Sequence, residues 1–228
     1  MNEVKDYFIV TLDTIDQYIK TIERESKTAR IAYSEQCFKI SNEQALKLEN
    51  ISEKLTLLAR KLPVFTWQAS AKTEVENCIK QNFKTKIGFT KEGWFCIRMP
   101  FLLPKKNGGS VDYIRQNLYL ALADFFTNKN QPRMQNVVLA YRHVYDKDRP
   151  NRKKRDHDNI EINMVSDTVA LFTMTDDEAT ECRHFYMSAE GETEQTEVYV
   201  VPQNAFRKWL DMIENIKNRE VMLYENQT

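Results

Sequence analysis

The chain has 228 residues and a mass of 27.0 kDa, enough for one or two domains. Its 42% hydrophobic and 29% charged residues suit a packed core and exclude global disorder. Lys+Arg 33 against Asp+Glu 33 leaves no net charge, which excludes nucleic-acid binding through overall basicity but leaves room for a local patch. No apolar run approaches the ~18 residues of a membrane helix, so no membrane partner is expected. The opening MNEVKDYFIV lacks the basic-then-apolar pattern of a secretory leader.

Residues 1–62 contain neither Gly nor Pro. Val4, Phe8, Leu12, Ile15, Ile19 and Ile22 recur every three or four positions, one face of a helix. A second helical pattern runs through Ile31, Ala32 and Cys37 towards Ile40. Ser41 followed by Gln44 resembles a capping box, and Leu48, Ile51, Leu55 and Leu58 form the next apolar stripe before Pro63. The segment predicts a helical arm over residues 1–70. It serves either as a packing layer or as a dimerisation or partner-binding device.

Residues 71–228 form the second expected domain. WFCIRMPFLLP, from Trp94 to Pro104, predicts a buried strand entering a Pro-bounded loop. Lys105, Lys106, Asn107, Gly108 and Gly109 make a polar turn. Ser110 opens a helix that buries Tyr113, Leu118, Leu122, Phe125 and Phe126. Residues 136–145 predict a second strand and 159–172 a helix. Cys182–Ser188 and Glu197–Val201 predict a closing pair of strands around the Gly191 turn. Asn204 caps a last helix with Phe206, Leu210, Ile213 and Ile216 on its buried face. Helices followed by mixed strands and helices give an α+β fold.

Cys37, Cys78, Cys96 and Cys182 are far apart, and His143, His157 and His184 show no metal-ligand spacing, so no zinc site is expected. Scattered thiols suit a reducing cytoplasm. The charge pattern is more informative. Residues 147–155, KDRPNRKKR, hold Lys147, Arg149, Arg152, Lys153, Lys154 and Arg155 against the single acid Asp148; residues 156–197 hold twelve acids against Arg183. The basic run abuts Arg155-Asp156-His157-Asp158-Asn159, and Thr175-Asp176-Asp177 follows. In an extended segment Asp156 and Asp158 point the same way. Like carboxylates at one place repel unless a cation joins them, and Mg²⁺ accepts one or two carboxylates with phosphate oxygens. Asp-x-Asp beside a basic run therefore suits metal-assisted phosphodiester hydrolysis. Equally, Asp156 and Asp158 could simply cap the following helix.

The string Arg-Asp-x-Asp-Asn, a helix, and then Asp-Asp resembles the RusA-type Holliday-junction resolvases over roughly residues 92–202, with WFCIRMPFLLP similar to that family's opening strand and Pro-rich loop. More narrowly, RDHDNIEIN with the downstream EVYVVP resembles an uncharacterised group of proteins from Firmicutes and their mobile elements. The resolvase resemblance implies a small α/β domain with metal-binding, catalytic acids at Asp156, Asp158 and Asp177 and Asp176 beside them. It implies Mg²⁺ or Mn²⁺ as cofactor, a DNA-gripping surface at Arg152, Lys153, Lys154 and Arg155 (joined here by Lys105 and Lys106), branched DNA as partner, and a homodimer. One position departs from the family: its lysine, one helical turn after the second Asp, is replaced by Ile162, followed by Asn163. Asn159, Asn163 and Asp167 are expected to share a polar helix face there. Two functions are open: a divalent-metal-dependent endonuclease on branched DNA, or a catalytically silent binding or interaction module of the same fold.

Overall fold

The computed structural model describes residues 6–82, 84–104, 111–129, 133–148, 157, 160–175, 178, 180–216 and 221–225. The fold is α+β, with a mixed five-stranded sheet among the described residues. No described helix is long and apolar enough to cross a membrane. The chain divides into two compact units, Met1–Gln81 with Asn107–Tyr113, and Asn82–Lys106 with Ile114–Thr228.

The first unit is built on an αα-hairpin. Helix α1 (Tyr7–Ser34) starts at Asp6, whose carboxylate accepts the N–H groups of Phe8 and Ile9. Helix α2 (Phe38–Ala59) packs back along it. Between them Gln36 takes a left-handed φ of 59°. Cys37 N–H donates to the Ala32 carbonyl at 2.8 Å and Gln36 N–H to the Tyr33 carbonyl at 3.1 Å, the Schellman arrangement with glutamine in the position glycine usually takes. The chain therefore turns where the sequence pattern runs on: Ile31 and Ala32 end α1, and Ile40 belongs to α2. The expected capping box does not form. Ser41 lies inside α2, its hydroxyl donating to the Cys37 carbonyl, and Gln44 is buried. Of the first apolar stripe only Ile15 is buried; Ile19 is 41% exposed, and Phe8, Leu12 and Ile22 are half-buried, as are Leu48, Ile51, Leu55 and Leu58. Two helices enclose a seam from one side each, so the stripe is only partly sealed. A short 3-10 turn (Pro63–Thr66) leads to α3 (Ala71–Asn82), whose polar sequence carries no helical signal.

The second unit carries the sheet, in the order β1 (Lys86–Phe89), β2 (Phe95–Met99), β5 (Gln195–Pro202), β3 (Val137–Asp146), β4 (Cys182–Gly191). All neighbours are antiparallel except β3 and β4, which are parallel. The expected closing pair is thus not a hairpin: β4 and β5 lie on opposite sides of β3. Helix α5 (Asn163–Thr173) supplies the reason, because a helical crossover after β3 returns the chain to start a parallel strand. β2 and most of β3 and β5 are buried, since the sheet is covered on both faces. One face packs Trp94, Cys96, Val138, Ala140, Tyr199 and Val201 under Trp209 and Ile213 of α6 (Phe206–Ile216). The other receives α5 and, through Phe125 and Phe126 against Phe95, α4 (Val111–Phe126).

Candidate nucleic-acid interface

β3 ends at Asp146, and its exit is held by Lys147, whose N–H donates to the Gly191 carbonyl at 3.0 Å and whose Nζ pairs with Glu192 at 2.9 Å. The basic run follows. Lys105, Lys106, Arg152, Lys153, Lys154, Arg155, Asp156, Asp158, Asn159, Asp176 and Asp177 lie outside the described residues. His157, which stands between the two aspartates in sequence, is described. His157 Nε2 is 3.0 Å from Ser188 Oγ on β4, and the His157 ring stacks on His143 of β3 with centroids 5.9 Å apart. The residue between the two aspartates is therefore seated on the α5 face of the sheet.

The helix that follows the acidic motif starts later than expected. The helix expected from residue 159 begins at Asn163, with Ile162 at the N-cap and no side chain of that residue capping it. Glu161 takes over locally: its carboxylate accepts from Asn163 N–H at 3.1 Å, and its own N–H donates to the Pro104 carbonyl at 2.9 Å. The expected three-residue polar stripe shortens to Asn163 and Asp167, both exposed on α5, since residue 159 precedes the helix. Ile162 is buried, 9% exposed, and its carbonyl faces the Tyr141 hydroxyl at 3.4 Å. Thr175, next to the second acidic pair, donates its N–H to the Met134 carbonyl, ahead of β3. His157 and Thr175 flank the 11 residues of α5, about 16 Å of helix at 1.5 Å per residue.

Around His157 lies a grouping the sequence does not reveal. Tyr141 and His143 on β3 face Tyr186 and Ser188 on β4 in parallel register. Tyr186 stacks on Tyr141 with centroids 5.6 Å apart and planes at 27°. His184 and His157 flank it at 6.1 and 6.0 Å. Tyr141 is fully buried and its hydroxyl shares a 2.7 Å hydrogen bond with Ser166 of α5; burial pushes its phenol well above the ordinary range. Tyr186 is half-buried, with its phenol also raised by burial, and His184 is exposed. All three histidines of the chain thus gather on one sheet face. They are 41 positions apart at the extremes (143 to 184), so only strand pairing brings them together. The signal that could have found them is period two: His184-x-Tyr186-x-Ser188 beside Tyr141-x-His143. Among the described residues no three His, Cys, Asp or Glu side chains converge as a metal site.

The α6 face holds a buried charge network in line with this site. Arg98, Glu197 and Arg142 are directly paired across β2, β5 and β3. Glu197 is fully buried; its Oε1 accepts from Arg98 Nε at 3.0 Å and Gln195 Nε2 at 3.1 Å, its Oε2 from Arg142 Nη1 at 2.9 Å and the Tyr199 hydroxyl at 2.8 Å. Beside it, burial pushes the Cys96 thiol far up, with the Glu197 charge adding to the shift. Cys96 and Cys182 are buried, whereas Cys37 and Cys78 are exposed.

The chain belongs to a family of unknown function, DUF6100, whose model matches residues 4–227. No curated protein and no solved structure matches it.

Proposed function

We propose that the protein is a divalent-metal-dependent endonuclease acting on branched DNA, with Asp156, Asp158 and Asp177 as cation ligands, Asp176 beside them, and Lys105, Lys106, Arg152, Lys153, Lys154 and Arg155 gripping phosphates. The observation that carries the reading is the seat of His157. Its ring lies against Ser188, His143 and Tyr186 of β3 and β4, and in sequence it stands between the two aspartates, in the segment that follows a run of six basic side chains. The order strand, basic loop, Asp-x-Asp-Asn, helix, acidic pair, strand also supports it. The donor set is all carboxylate, the chemistry Mg²⁺ or Mn²⁺ takes; such an ion would polarise the phosphodiester and lower the pKa of an attacking water. This chain's own residues hold the backbone and set the position of the acids. A homodimer in the cytoplasm, offering two related sites to a four-way junction, completes the reading.

A second reading, a silent DNA-binding module of the same fold, is favoured by Ile162. The position of the resolvase lysine is buried against Tyr141 and Ser166, so a cation there is not simply missing but replaced by core. Four-way-junction and linear duplex DNA incubated with the protein in Mg²⁺, Mn²⁺ or EDTA decide between them. Metal-dependent cleavage of the junction, abolished in Asp158→Asn, supports the nuclease. Binding without cleavage in either metal leaves the silent module. Absence of binding overturns both.

A further inference from the structure

We infer that Tyr186, backed by Tyr141 and flanked by His157 and His184, is a stacking platform for an unpaired base of a DNA strand. The inference rests on the DNA-binding reading above and specifies what part of a branched substrate the site takes. Tyr186 lies on β4, at the end of the strand order among the described residues. One side of its ring is covered by Tyr141, yet the residue stays half-exposed, and His184, two positions away on the same face, is exposed. The backing is rigid: Tyr141 is fully buried and tied to Ser166. A flat ring stacked from behind on an immobile ring, with further flat rings at its rim, accepts another flat π-system with little ordering cost.

A base supplies that π-face whatever its identity, and stacking on protein aromatics is the usual means of holding single strands. The occupant is set by charge and position. The run Arg152-Lys153-Lys154-Arg155 ends two residues before His157, whose ring is 6.0 Å from that of Tyr186. The rings that surround Tyr186 are Tyr141, His157 and His184. A fully paired duplex keeps its base faces covered and gains nothing from this ring. A junction, flap or single strand exposes them.

The test is equilibrium binding in EDTA, so that cleavage plays no part, using a labelled oligothymidine, a four-way junction and a linear duplex. Tyr186→Ala should weaken oligothymidine binding roughly 5- to 150-fold, the range a single base stack carries, and should leave linear duplex binding unchanged. Tyr186→Phe should retain wild-type affinity, because the ring and not the hydroxyl carries the interaction. Photocrosslinking of a 5-bromouracil strand should label the tryptic peptide containing Tyr186. Equal weakening on both DNAs in Tyr186→Ala, weakening in Tyr186→Phe, or a crosslink mapped elsewhere would overturn the platform. Duplex binding by the wild type without oligothymidine binding would remove the platform and leave the DNA-binding reading standing. Absence of binding to all three DNAs would remove both.

Discussion

Glu197→Gln is the most informative single change in the α/β unit. The substitution keeps the side-chain shape but removes the charge that faces two guanidinium groups, Arg98 at 3.0 Å and Arg142 at 2.9 Å. All three side chains are 5% exposed or less, so solvent does little to screen the change. The amide also turns one of its two positions from acceptor into donor, while four donors converge on the carboxylate. Removing one partner of a buried ion pair costs about 3–5 kcal/mol, a large part of a domain's total of ~5–15 kcal/mol. At about 2–4 °C per kcal/mol for a chain of this size, the midpoint should fall by about 6–20 °C. Urea unfolding followed through the fluorescence of the buried Trp94 and Trp209 measures it in this unit, since Trp67 is 92% exposed and contributes a flat background. A companion variant replaces Arg98, Arg142 and Glu197 by Met, Met and Leu with Tyr199→Phe. It should be more stable than Glu197→Gln, because an all-apolar replacement leaves no unpaired charge. A Glu197→Gln midpoint within about 1 kcal/mol of wild type would falsify the view that this carboxylate neutralises the row.

Asp158→Asn should leave the metal-free protein as stable as wild type, because α5 begins only at Asn163, whose N–H is accepted by Glu161, and should abolish any Mg²⁺-induced rise in melting temperature; a clear drop in stability without metal would refute the assignment. Replacing Lys153 and Lys154 by Ala should flatten the slope of log affinity against log salt on duplex DNA by about 0.9 for each phosphate that is no longer neutralised, and an unchanged slope would reduce the basic run to a solvated loop. Gly88→Ala places a Cβ 2.7 Å from the Tyr224 carbonyl oxygen, where Phe89 and Tyr224 exchange backbone hydrogen bonds. It should cost about 1–3 kcal/mol and speed proteolysis at the C-terminus; an unchanged midpoint would show that the terminal segment gives way freely. Light scattering should report a homodimer that survives deletion of residues 1–62, and dissociation on that deletion would make the helical hairpin the assembly device.

The sequence makes some elements legible and hides others for identifiable reasons. β2, β3 and β5 are rich in apolar and aromatic residues, and α6 carries a strong apolar stripe, so burial and pattern agree. The α1–α2 turn is hidden because Gln36 adopts φ 59° where a glycine would have announced the turn. β1 has only four residues, KIGF, and α3 reads AKTEVENCIKQN, too short and too polar for either period to stand out. The Gly191 turn suggests a hairpin, but parallel pairing after a helical crossover is a non-local choice that no local signal encodes. The acidic motif is readable as a string of residues. Its aromatic and imidazole surroundings are not, because His143, His157 and His184 meet only once β3 and β4 are paired.

β3 ties the two faces of the unit together. Val138, Ala140 and Arg142 project to the α6 side, where Arg142 meets Glu197. The alternate residues Tyr141 and His143 project to the α5 side, where they back Tyr186 and His157. Side chains alternate strictly along a strand, so a one-residue slip would exchange the two sets. In apolar sheets such slips are opposed only by differences in packing. Here a slip would move Arg142 off Glu197 and into the packed interface beneath α5, stranding a guanidinium in a place that Tyr141 and Ser166 fill. The charge row therefore acts as a register lock: two cations and one anion directly opposite each other across three strands admit one alignment. Its energetic worth relative to apolar residues is small or negative, so stability does not account for it. What the row secures is position. With β3 fixed against β5, Tyr141 is aimed at α5 and His143 receives His157 on the same sheet face as Tyr186, although no residue of the lock touches that face.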